Sequence, residues 1–217
     1  MITQMDGYRE QGLRKALIKE LRTKGIHDER ILEAFDAVPR HHFLDSAFLE
    51  MAYENKAFPI GSGQTISHPY TVAFQTQLLE IEKGHKILEI GTGSAFQTAI
   101  LVKMGAKVFS IERHKPLYKK AKVILAQLGL RAMLMLGDGF KGSQVNGPFD
   151  SIIVTCGAPF IPQELCRQLK DGGRMIIPVG ELDEQKMKRI WRKGNELEVE
   201  ELGVFSFVPM LPNIVRN

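Results

Sequence analysis

The residues best suited to chemistry sit where an apolar stretch gives way to glycine. Ile87, Leu88 and Ile90 stop at Gly91, Gly93 follows, and a helix-like run occupies 95–104. Strand, tight turn and helix start are thereby predicted in direct succession. Glycine accepts positive φ and lets a ligand approach bare backbone, and a helix start offers unpaired N–H groups. A carboxylate about 20 residues further on, at the tip of the next strand, can take ribose hydroxyls. Glu112, closing the run Lys107-Val-Phe-Ser-Ile111, stands there.

Two features choose between nucleosides. A dinucleotide turn carries Gly or Ala at the last position of G-x-G-x-x-G; this chain has Phe96. Glu89, two residues before Gly91, repels a pyrophosphate but suits a cationic amine. S-adenosylmethionine carries an amine and a sulfonium and no phosphate, so these residues favour it. The plain alternative is an ordinary βα turn without a ligand.

Ligands of an open parallel sheet lie beyond the C-terminal ends of its strands. Asp138, between Gly137 and Gly139, and Thr155 fall at such ends and join Glu89 and Glu112 in one expected crevice. Asp138 suits an adenine amine, with flat glycine backbone beside the base; Asp-Gly is equally a turn former. Residues 56–72 are loop-like, yet carry Phe58, Ile60 and Ile66, and a long loop in a compact domain is more often functional than idle. This segment is expected to fold over the crevice as a lid, with hydroxyls from Thr65 and Ser67. Ser67 reads as a positioning donor, since no Ser-His-Asp order is visible and His68 is expected to point elsewhere. The alternative role of Ser67 or Thr71 is to cap the next helix. His41 and His42 read as surface residues, Arg40 as an ion-pair partner, and Met104, Met133 and Met135 as core filler.

Positioning these groups requires an α/β chain. Leu13, Leu17 and Leu21 predict an amphipathic helix over 8–24, and Ile31, Leu32 and Phe35 a second over 28–37. Residues 1–55 thus read as a helical lead-in, 56–72 as the active-site loop, 73–180 as the core and 181–217 as a C-terminal hairpin. A helix is expected over 71–79. Strands at 107–111, 132–136, 149–154 and 174–179 alternate with helices at 115–128 and 162–170, which predicts a parallel sheet covered on both faces. Residues 186–193 and 196–208 alternate around Lys193-Gly-Asn195 and predict an antiparallel pair. At 217 residues, 44% of them hydrophobic, one domain with a sizeable core is expected. A net charge of +4 with basic and acidic residues interleaved does not indicate nucleic-acid binding. Cys156 and Cys166 have no metal spacing and form no disulfide framework, which suits a reducing compartment. No apolar run reaches about 18 residues and the N-terminus lacks a leader pattern, so a soluble cytoplasmic protein is expected.

One family carries these motifs together: Val38-Pro-Arg-His-His-Phe43, Gly63-Gln-Thr-Ile-Ser67, Pro69-Tyr70, Leu88-Glu-Ile-Gly-Thr-Gly-Ser94, Ile111-Glu-Arg113, Gly137-Asp-Gly139, Pro148-Phe-Asp150, Pro178-Val-Gly180 and Phe207-Val-Pro209. The chain resembles the protein-L-isoaspartate (D-aspartate) O-methyltransferases, the bacterial form in particular, over nearly its whole length. The resemblance implies a doubly wound, mostly parallel, seven-stranded Rossmann-like methyltransferase sheet. It implies methyl transfer from S-adenosylmethionine, released as S-adenosylhomocysteine, to the free carboxylate of isoaspartyl and D-aspartyl residues in damaged proteins and peptides. By the same resemblance Gly91, Gly93, Glu112, Asp138 and Gly139 hold the cofactor, with Glu89 and Thr155 beside them. The loop Gln64, Thr65, Ile66 and Ser67 closes on it, and Ser67 takes the active-site serine place. Ile60, Gly61 and Val208 touch the substrate peptide. No nucleic acid, membrane or metal is implied, and a monomer is expected. Three segments depart from the family pattern. Ala95-Phe96 replaces Gly-Tyr, with Ala95 expected at negative φ. Cys156 replaces alanine, and Ser206 replaces an arginine.

The chemistry agrees. A carboxylate of pKa about 4 is ionised at neutral pH and needs no general base. The enzyme has to desolvate it and aim it at the methyl group, which hydroxyls can do without the strong grip of a cation. Three rival readings stand beside this one. A methyltransferase acting on RNA or another small acceptor is opposed by the absence of the Asn/Asp-Pro-Pro-aromatic motif common in amino-group methyltransferases, whose place here reads Thr155-Cys-Gly-Ala-Pro159. A non-catalytic nucleoside sensor is opposed by the intact Ser67 loop. A dehydrogenase is opposed by Phe96 and Glu89.

Overall fold

The structure, a computed structural model, describes residues 6–181 and 184–216. The leader expectation at 1–5, and the hairpin expectation at 182, 183 and 217, lie outside the described residues. Helix α1 (Tyr8–Thr23) buries Leu17 and Leu21, but Leu13 sits at the rim, 37% exposed, and Arg14 takes a buried place instead. The Arg14 guanidinium makes that possible by pairing with Asp6 at 2.8 Å and donating to the Tyr53 hydroxyl. Helix α2 (Glu29–Ala37) is capped by the Asp28 carboxylate and turns Ile31, Leu32 and Phe35 inward. Beyond Pro39, two short 3-10 turns, Arg40–Phe43 and Ser46–Met51, lead to the lid.

The lid segment is more ordered than a loop. Strands β1 (Phe58–Gly61) and β2 (Gln64–Ile66) pair antiparallel, Phe58 opposite Ile66. Phe58, Ile60 and Ile66 are all buried, which accounts for apolar residues in a glycine-rich stretch. Helix α3 (Pro69–Leu78) follows directly.

The main sheet contains β3 (Lys86–Ile90), β4 (Lys107–Glu112), β5 (Met133–Leu136), β6 (Phe149–Val154), β7 (Leu169–Glu181), β8 (Glu184–Lys193) and β9 (Glu196–Phe205), in the order β5-β4-β3-β6-β7-β8-β9. Strands β3 to β7 run parallel; β8 and β9 are antiparallel additions. Helices α4 (Phe96–Lys103), α5 (Lys115–Gln127) and α6 (Gln163–Arg167) make the crossovers. The sheet is the doubly wound, mostly parallel arrangement expected. Its central strands β3 and β6 are apolar runs with both faces covered. Strand β7 starts earlier than expected, because Leu169 already pairs with Phe149 and the register then slips around Asp150. Asp171-Gly-Gly therefore lies within the strand, and α6 is shorter than 162–170. Met133, on edge strand β5, is 50% exposed and is not core filler; Met104 and Met135 are partly buried.

The chain leaves β3 toward β4 and β5, then returns to the other side of β3 as β6. That reversal opens a crevice at the C-terminal strand ends. After β9 the tail crosses these ends, pairing Pro209 with Gly157 and Val215 with His114.

Candidate active site

The glycine turn is built by close approach. Gly91 has φ +97°, and a Cβ there would lie 2.6 Å from the Thr155 hydroxyl oxygen. That hydroxyl donates to the carbonyls of Gly91 and Ile90, at 2.7 and 2.9 Å. Thr155 therefore braces the turn as well as facing the crevice. The Gly93 N–H donates to Glu112 Oε2 at 2.8 Å, and the His114 N–H donates to Oε1 at 2.8 Å. Glu112, 4% exposed, ties the two strand-end turns together. A carboxylate has about four acceptor positions, so two are left for a ligand.

Ala95 differs from the expectation of negative φ. It sits in the left-handed region at φ +71°, fully buried, because its N–H closes a turn onto Thr92 before α4 begins. A left-handed alanine is sterically costly. Phe96 lies edge-on to Phe35 and Phe43, in a cage with no call for the missing hydroxyl.

Two cavities meet at the crevice. The larger holds about 770 Å³ of empty space, part of it open to solvent, and the smaller about 300 Å³. Gly91, Gly93, Glu112 and Gly139 line the larger, and Gln64 and Ile66 cover it from the lid. Thr65, Ser67, Thr155 and Val208 line both. The smaller is completed by His68, Thr71 and Ser206, and no Lys, Arg, Asp or Glu is among its lining residues. His68 thus shares a cavity with Ser67, against the expectation that it points away; no hydrogen bond joins the two side chains. Burial and the Arg40 charge lower the His68 pKa, which keeps its imidazole neutral at pH 7.

Four expected site residues do not line either cavity. Glu89 is fully buried behind the turn and accepts from the Thr98 hydroxyl at 2.5 Å. Burial pushes its carboxyl up to about 7, the Thr98 and Ser110 hydroxyls pull it back only in part, and Glu112 adds to the rise. Asp138 spends one oxygen on the Phe140 N–H and the other on the Asn213 N–H, at 3.0 Å each. Ile60 packs beneath the glycine turn, 3.5 Å from where a Gly93 Cβ would be. Gly61 stays at the exposed turn of the lid hairpin at φ +94°.

Sequence reasoning placed Val208 at the site but missed the tail residues that follow it. Pro209, Met210 and Leu211 line the larger cavity beside Val208. Arg113 also lines it, but its guanidinium is engaged by the carbonyls of Pro212 and Asn213. Cys156 lines it too, and burial pushes its thiol up to about 12. His41 is buried against the Tyr53 hydroxyl at 2.7 Å, not on the surface, and His42 is half-buried.

A nucleoside fits this arrangement. Left-handed glycine backbone lies on one side, an acceptor pair on Glu112 on the other, and no uncommitted guanidinium offers a grip for phosphate. A doubly wound sheet with this cavity at its reversal point is the fold of a Rossmann-like, S-adenosylmethionine-dependent methyltransferase. The family model for protein-L-isoaspartate(D-aspartate) O-methyltransferase matches residues 12–214. The chain belongs to that family. It is 55% identical over 207 residues to the protein-L-isoaspartate O-methyltransferase of Cytophaga hutchinsonii, covering 95% of this chain and 94% of that one. It is 46% identical over 215 residues to the enzyme of the same name from Salinibacter ruber, covering 94% and 93%. A solved protein-L-isoaspartate O-methyltransferase superposes with a TM-score of 0.85 at 29% identity, over 93% of this chain and 67% of that one. A Plasmodium falciparum protein in complex with S-adenosyl-L-homocysteine shares the fold, with a TM-score of 0.80 at 24% identity, over 92% and 99%.

Proposed function

We propose that the chain methylates the free carboxylate of L-isoaspartyl and D-aspartyl residues in damaged proteins and peptides, the first step of their repair, with Ser67 as the residue that aims the acceptor. The larger cavity takes S-adenosylmethionine, whose sulfonium supplies an electrophilic methyl group. Glu112 holds the ribose side of it, Gly91, Gly93 and Gly139 give it backbone to lie against, and Gln64 and Ile66 cover it. Asp138 acts there through the backbone it caps. The smaller cavity takes the acceptor carboxylate, with Val208 and the backbone at Gly61 guiding the peptide. The observation that carries this reading is the wall common to both cavities, where Thr65, Ser67 and Thr155 stand. The Ser67 hydroxyl has no partner among the described residues, so it is available to donate to an acceptor oxygen. The carboxylate arrives ionised, and a neutral, hydroxyl-bearing cavity orients it without a cation that would blunt its attack.

The protein is incubated with labelled S-adenosylmethionine and matched isoaspartyl and aspartyl peptides. Base-labile methyl ester is expected on the isoaspartyl peptide alone; equal labelling of both would reject the substrate assignment. Ser67→Ala is expected to lower kcat/KM about 10- to 100-fold, the worth of one hydrogen bond to a charged acceptor. An unchanged rate would remove the aiming role.

We also read the chain as one domain acting as a cytoplasmic monomer that takes no nucleic acid. The interleaved charge supports the absence of nucleic-acid binding. Among the described residues no helix is long and apolar enough to cross a membrane.

A further inference from the structure

Arg40 is the least expected charge in the molecule. Its side chain is 1% exposed, and no carboxylate pairs with it among the described residues. Its guanidinium instead donates to three loop carbonyls: Ala52 at 3.0 Å, Lys56 at 3.1 Å and Ser67 at 3.0 Å. Its remaining nitrogen, Nη1, is buried without a partner. The planar head lies over the Phe96 ring, 4.9 Å from its centroid. A buried cation without a counter-ion is costly, and burial lowers the Arg40 pKa to about 9.

What the guanidinium joins is specific. Ser67 belongs to the lid and Phe96 to the first turn of α4, and both line the larger cavity from different parts of the chain. The fork donates to the Ser67 carbonyl at 3.0 Å while its central carbon lies over the Phe96 ring, so one rigid group spans the two. Lysine would keep the charge but not the rigid fork that reaches three carbonyls while lying over the ring.

We infer that Arg40 is a positioning residue for methyl transfer, fixing the Ser67 backbone against the cofactor-binding helix so that the Ser67 hydroxyl meets the acceptor carboxylate in one geometry. The inference rests on the aiming role proposed for Ser67. Arg40 touches neither ligand and acts through the 67–68 peptide.

The test is a cycle of Arg40→Lys and Ser67→Ala, read as kcat and KM on an isoaspartyl peptide and as Kd for S-adenosylhomocysteine. Arg40→Lys is expected to lower kcat at least 10-fold while moving the Kd less than threefold. In the Ser67→Ala background the same change is expected to cost less than threefold, because the hydroxyl it positions is gone. A role in stability alone would lower the melting temperature and leave kcat per folded molecule unchanged, and this would overturn the inference. So would an equal loss of kcat in both backgrounds. If Ser67→Ala itself has no effect, the Ser67 reading falls first and the inference with it, while ester formation by the parent protein still stands. Arg40→Gln, which keeps a planar donor, is the second variant and is expected to retain more kcat than Arg40→Lys. If neither variant folds, Arg40 holds the fold itself and the positioning role is withdrawn.

Discussion

Replacing Glu112 by glutamine tests the cofactor site most directly. Each oxygen of this carboxylate accepts a backbone N–H at 2.8 Å, one from Gly93 and one from His114. The amide presents an NH2 to one of those donors whichever way it turns, so one charge-assisted bond is lost outright. The surviving oxygen then has to serve backbone and ribose together, without a full negative charge. A hydrogen bond to a charged group is worth about 1.5–3 kcal/mol. The side chain is nearly buried, so little of this is screened away. The Kd for S-adenosylmethionine, measured calorimetrically, is expected to rise about 10- to 150-fold. The same loss at the two turns is expected to lower the melting temperature of the free protein. Glu112 also helps raise the Glu89 carboxyl, so the pKa there should fall when the charge goes. A Kd within threefold of the parent would refute the assignment of Glu112 to the ribose.

Gly91→Ala is expected to abolish cofactor binding, because a methyl group would be forced to 2.6 Å from the Thr155 oxygen at φ +97°; an S-adenosylhomocysteine titration checks it. Glu89 is protonated in the folded chain to higher pH than in the unfolded one, since its carboxyl is raised to about 7 from an unfolded 4.5. Stability is therefore lost as pH rises from about 4.5 to about 7 and is constant above, by an amount on the order of 3 kcal/mol. Glu89→Gln is expected to flatten that fall in urea titrations across the window, whatever its cost at acid pH; an identical slope in both proteins would refute the coupling. Ala95→Gly is expected to change stability by no more than about 1 kcal/mol, because relief of left-handed strain is offset by a lost buried methyl and a freer unfolded chain. Denaturant midpoints measure it. Cys156, its thiol raised to about 12 by burial, is expected to resist iodoacetamide at pH 8 far longer than a free thiol, and longer still with cofactor bound.

The glycine turn, the alternation of strands and helices in the parallel half and the β8–β9 pair were legible because each rests on local signals: apolar runs, Gly punctuation and period-2 alternation. Glu112 was legible for the same reason, as a polar tip on an apolar strand. Other features required tertiary contacts. Whether Ala95 took positive φ depended on how α4 meets the sheet. Arg40, His41 and Arg14 look like surface residues in sequence. Their burial comes from Tyr53, Phe96 and loop carbonyls that lie far along the chain or alternate with apolar residues. Asp138 was placed at the correct turn, but the capped Phe140 N–H and the returning Asn213 N–H take its oxygens. The lid read as a loop because its strands are only three or four residues long.

The tail that crosses the strand ends sets an order on biogenesis. A ribosome releases the lid and the β3–β4 half of the sheet long before residues 206–216 emerge, so the growing polypeptide carries a cleft that lacks its tail-built wall. Val208, Pro209, Met210 and Leu211 line the larger cavity, so its wall is complete only once the chain has doubled back over the strand ends. Any nick after Phe205 would return the mature enzyme to that unfinished condition while leaving its sheet intact.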